Sequence, residues 1–223
     1  MGVPQVYRKS RGEAIKSFSF NDIIDGAGIR TFFGFSSVTS GTTYHLGSSD
    51  ALSRIIEHTY GIVENAGDVN SGTFQRIDLD FDLPAFNKST ILRGDASVII
   101  THWANASGGA ALTSWFVFKV RKWDGDNETE IASGETDHLA IGSGNTERIV
   151  KTTFIKIPRT QFKKGEVLRL TVQGFVTPTN NSGSNFAFGH DPENRDGTLI
   201  VPSTDDPRTI TKLLFKVPFD INV

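Results

Sequence analysis

The chain has no cysteine and a single methionine among its 223 residues, which excludes disulfide staples and thiolate metal sites. No stretch approaches the ~18 consecutive apolar residues that a spanning helix needs. The N-terminus also has no apolar h-region of the kind that marks a secretion signal. Membrane insertion is therefore not expected. Neither sign of charge dominates, with 23 basic residues against 25 acidic ones, so nucleic acid is not the expected partner of the whole chain. Catalytic patterns are missing too. The histidines at 45, 58, 102, 138 and 190 form no His-x-x-x-His or His-x-x-Glu-His spacing, and no serine sits in a Gly-x-Ser-x-Gly elbow. Zinc chemistry and a nucleophilic serine thus have no local support, and without cysteine a thiolate nucleophile is impossible. The expectation is a non-enzymatic protein with no cofactor.

What the chain does have is alternation. From Phe74 to Leu83, Ile77, Leu79, Phe81 and Leu83 share one face and Asp78, Asp80 and Asp82 take the other. A strict period of two marks a strand with one buried and one wet side. Leu168, Leu170, Val172 and Val176 repeat the pattern against Arg169, Thr171 and Gln173. So do Leu213, Phe215, Val217, Phe219 and Ile221 against Lys212, Lys216 and Asp220. Pro218 should mark an edge or a bulge. Strands are expected near 74–83, 96–103, 112–123, 129–133, 148–157, 167–176, 185–189 and 210–221. Shorter ones are expected at 15–20, at 29–35, near Tyr44 and near Ile62, with at most a short helix at 53–60. Seventeen phenylalanines supply the apolar area for a core. The fold class is all-β: a single jelly-roll-like antiparallel β-sandwich over 15–223, its firmest strands from about 74, preceded by a polar arm at 1–14.

Several segments could carry chemistry. The acidic stripe calls for compensation from a neighbouring strand, for which Lys119, Arg121 and Lys216 are available. Asp124, Asp126 and Glu128 resemble the start of a calcium loop, because alternate carboxylates can converge on a hard cation. Thr129 stands where the sharp-turn glycine belongs, so a solvated hairpin turn is preferred and no metal is expected. Arg93-Gly94-Asp95 spells an integrin-type tripeptide but reads better as an ordinary turn. Trp115, Phe116 and Val117 belong to a stretch apolar on both faces, which requires a covering layer on each side. Together with Arg8, Lys9 and Arg11 of the arm, they are the candidate assembly contacts.

Five segments carry a family resemblance: Phe162–Val172, Gly189–Asp196, Lys212–Ile221, Ile29–Phe35 and Arg121–Gly125. They resemble jelly-roll structural proteins of archaeal viruses and tailed phages, of minor capsid, decoration or turret and penton type. The resemblance implies a virion structural component, located in the particle and partnered by itself and by other virion proteins. It brings no active-site residues. The alternative is a carbohydrate-binding β-sandwich module, with host glycans as partners if it sits on a virion surface.

Overall fold

The computed structural model describes residues 28–37, 43–47, 62–65, 72–106, 111–178, 184–190 and 213–219. These form twelve strands: β1 (Ile29–Ser37), β2 (Thr43–Gly47), β3 (Ile62–Asn65), β4 (Phe74–Asp82), β5 (Thr90–Ala106), β6 (Leu112–Trp123), β7 (Glu128–Glu135), β8 (Leu139–Ile141), β9 (Thr146–Phe162), β10 (Val167–Pro178), β11 (Ser184–His190) and β12 (Leu213–Pro218). No helix occurs among the described residues. The arm with Arg8, Lys9 and Arg11, the expected strand at 15–20 and the segment 53–60 lie outside them.

The strands build an all-β sandwich. In one layer β5 pairs along its length with β9, while β12 and β11 lie end to end on its other side, followed by β1 and β3. The other layer runs β4, β10, β6, with β7 and β8 end to end beyond β6. The layers are joined through β2, which is antiparallel to β1 and parallel to β4 over Tyr44–Phe81 and His45–Asp82. On the far side β7 packs against β9. A Cβ on Gly134 of β7 would come within 2.9 Å of both Ile155 and Thr153, so only glycine permits this approach.

The core is where alternation placed it. Phe81, Phe116, Phe118, Phe162, Phe186, Phe188 and Phe215 are wholly enclosed. Phe116 meets the rings of Phe186 and Phe188 at 5.8 and 5.6 Å between centroids, a spacing typical of packed aromatic pairs.

β5 and β9 are longer than their sequence suggests, at 17 residues each. Arg93-Gly94-Asp95 is not a turn between strands. It lies inside β5 at a bulge, where Leu92 pairs with Thr160 and Gly94 with Ile157, and Gly94 holds φ at 123°. Pro158 faces this bulge from β9. Pro218 reaches it from β12, its side chain 3.5 Å from where a Gly94 Cβ would stand. Both prolines, which cannot donate to a ladder, are thus placed where the ladder is already broken.

Candidate functional site

The acidic stripe is compensated within its own sheet. The β4–β10 register sets Arg169 opposite Asp82, Thr171 opposite Asp80 and Gln173 opposite Asp78. Arg169 donates to both oxygens of Asp82, from Nε at 2.7 Å and from Nη2 at 2.8 Å, and to Glu128 at 2.9 Å. Thr171 donates its hydroxyl to Asp80, and Gln173 its amide to Asp78 at 3.3 Å. The guanidinium lies over Trp123, 5.2 Å from the ring centre. The hydrogen bonds it donates to Asp82 come first among the causes that push the Arg169 pKa up; burial opposes them. The expected compensators serve elsewhere: Lys119 reaches Glu130 and Arg121 reaches Glu128 across to β7, while Lys216 sits in the other layer on β12.

The acidic turn after Trp123 is closed by its own carboxylate. Asp124 Oδ1 accepts the backbone N–H groups of Asn127 at 2.7 Å and Asp126 at 3.0 Å, and these bonds lower the Asp124 pKa. Glu128 is engaged by Arg121 and Arg169. No group of three or more acidic, histidine or cysteine side chains converges as metal ligands would among the described residues.

The doubly apolar stretch of β6 is covered largely from within. Phe116 is fully buried in the core, so it is not available as an assembly contact. Trp115 is half-buried and stacked on His138 at 4.2 Å and Phe175 at 5.6 Å, both rings nearly parallel to it. Val117 is half-buried beside them. The tryptophans do not form an open platform for a sugar ring either: Trp103 is buried, Trp115 is stacked on His138 and Trp123 carries Arg169.

One serine and one histidine meet at hydrogen-bonding distance, His102 Nε2 to Ser114 Oγ at 2.8 Å. Both are completely buried. Burial, followed by the charge of Lys151, lowers the His102 pKa to about 3. The lowered pKa makes the imidazole a poor proton acceptor at neutral pH, and neither side chain reaches the surface.

A concave surface lies where the two layers join. The parallel pairing of β2 and β4 stops at His45 and Asp82, and Pro84 has no N–H with which to continue a ladder. A cleft of about 640 Å³ opens just beyond, walled by Phe32 and Phe35 of β1, Leu46 and Gly47 of β2, and Leu83 and Pro84, with Arg30, Thr31, His45 and Asp82 at its polar margin. The His45 ring rests on Phe35 at 5.3 Å, and its Nε2 meets the Thr43 hydroxyl at 3.0 Å. A shallower hollow of about 330 Å³ shares His45 and Asp82 with the cleft and continues it past Tyr44, Asp78 and Asp80. Sequence reading missed this site. Its only trace is the run of aromatics in Phe32–Phe35, and the gap itself depends on a two-residue pairing that no local pattern announces.

No protein-family model and no curated protein matches the chain. Solved structures do align with it. A CocE/NonD family hydrolase from Staphylococcus aureus shares 12% identity over 85% of this chain and 41% of its own, with a TM-score of 0.40. An α-amino acid ester hydrolase shares 9% identity over 65% of this chain and 26% of its own, with a TM-score of 0.39. An aminopeptidase from a marine sediment Thaumarchaeota archaeon shares 8% identity over 86% of this chain and 37% of its own, with a TM-score of 0.46.

The chain spans about two fifths or less of these proteins. At such scores the likeness carries no activity across to it. The finding does correct one expectation. These neighbours are hydrolases and a peptidase, so the reading of the chain as a virion structural component is withdrawn. The physical reason is that the segments behind that reading are turns and alternating strands, which sandwich geometry imposes whatever the protein does.

Proposed function

We propose that this β-sandwich is a binding domain rather than a catalyst, and that it takes an apolar or aromatic group in the cleft between β1, β2 and the end of β4. The observation that carries the reading is the cleft itself: about 640 Å³, apolar along its walls, with a few polar groups at the margin. That size and lining are typical of sites for small ligands or single anchoring side chains. Arg30 and Asp82 at the margin supply orientation, and the fixed Asp82–Arg169 pair keeps that margin in place. The buried His102–Ser114 pair offers no competing centre, since both side chains are closed off from solvent.

The test is an amide-resolved NMR titration with N-acetyl-phenylalaninamide. Shifts should concentrate at Phe32, Phe35, His45 and Asp82, and they should vanish in Thr31→Trp, which fills the cleft from an exposed position. Shifts scattered over the surface, or none at millimolar probe, would dismiss the reading.

A further inference from the structure

Among the described residues, one exposed aromatic side chain has the chemistry the cleft asks for. Phe154 projects from the outer face of β9 and is 77% exposed, with Val150 on the same face at 57%. A large aromatic so far from cover is unusual, since an exposed apolar group gains only when something removes it from water. Its backbone is held firmly. Phe154 pairs with Ser97 of β5, and its carbonyl oxygen would stand 3.3 Å from a Cβ on Gly134. The ring is therefore presented from a fixed strand, and little ordering entropy remains to be lost on docking.

The surroundings are charged in a complementary sense. β9 carries Arg148, Lys151, Lys156 and Arg159 against Glu147, with Lys156 two residues from Phe154 on the same face. The cleft runs into a hollow where the three carboxylates of Asp78, Asp80 and Asp82 face the single cation Arg169, so its charge remains negative. A basic strand with a projecting aromatic is thus complementary in chemistry and in sign to an apolar cleft with a net negative continuation.

Resting on the reading of the cleft as a binding site, we propose that its occupant is Phe154 of a second copy of this chain. Lys156 of that second copy would then lie toward the acidic hollow. The contact is heterologous: knob and cleft are different patches, so a pair keeps one free cleft on one copy and one free knob on the other. Association therefore continues to higher oligomers or closes as a ring.

The experiment is sedimentation velocity on the full chain from low to high micromolar concentration, at low and at moderate salt. The mean mass should rise with concentration and fall with added salt, because the steering charges are exposed. Phe154→Ala should weaken association by at least ~10-fold, as truncation of a central aromatic anchor does. It should leave the melting temperature unchanged, which separates lost docking from lost folding. Thr31→Trp should weaken association equally. An equimolar mixture of the two variants should form a one-to-one dimer, because one supplies an intact cleft and the other an intact knob.

A monomer at every concentration, association that survives Phe154→Ala, or a mixture that fails to pair would each overturn the proposal. The N-acetyl-phenylalaninamide titration, repeated on Phe154→Ala, judges the cleft separately. Binding of the probe to a chain that never self-associates would leave the binding function standing and remove only this occupant.

Discussion

His102 enters the core with one ring nitrogen bonded to Ser114 and the other without a hydrogen-bond partner among the described residues. Its other neighbours include the Phe116 ring, nearly perpendicular to it with 4.8 Å between ring centres. Burial lowers its pKa from 6.5 to about 3. An unfolded chain takes up this proton below about pH 6.5 and the folded one only near pH 3, so the unfolded state binds more protons in between. The stability linked to His102 is complete above pH 6.5 and declines as pH falls toward 3, by up to roughly 1.4 kcal/mol per pH unit. Urea unfolding followed from pH 7 to 4 should show this slope. His102→Gln should be less stable at pH 7 yet flatter over the same range, and an equal slope in both proteins would assign the effect to other groups.

At the level of strands, the β5 bulge concentrates three residues whose backbones are special. Gly94 supplies the positive φ, and Pro158 and Pro218 sit where no ladder donor is wanted. Gly94→Ala has room for its methyl but must adopt φ near 123°, a strain on the order of 1–3 kcal/mol. Thermal unfolding should show the loss. A neutral outcome would mean that the bulge relaxes and that the β9 register past Thr160 is not fixed by it.

This bulge also shows what a sequence can and cannot display. Alternation revealed β4, β10 and β12 because each has one polar and one apolar face. It truncated β5 and β9, because Gly94 and Pro158 look like breaks until they are seen to face each other. The ion network was half visible. Asp78, Asp80 and Asp82 and the opposing trio Arg169, Thr171 and Gln173 were each legible as a face, but which strand lies beside which is a long-range choice that period two does not encode. The cleft was invisible for the same reason.

For the molecule as a whole, the first and last described strands lie side by side, with Thr31 opposite Lys216 and Ile29 opposite Pro218. This placement has a mechanical consequence. Tension applied at Thr31 and Lys216 pulls across the β1–β12 ladder, so its hydrogen bonds carry the load one after another and separate like a zip. Tension applied at Asp95 and Glu147 runs lengthwise along the β5–β9 ladder, whose bonds lie perpendicular to the strands and share the load together. The absence of cysteine makes both attachments simple, since a pair of engineered thiols at these exposed positions is unique. In optical tweezers the Thr31→Cys, Lys216→Cys chain should yield at a clearly lower force than the Asp95→Cys, Glu147→Cys chain. Equal forces would mean that β1 and β12 are held by the layer beneath them rather than by each other.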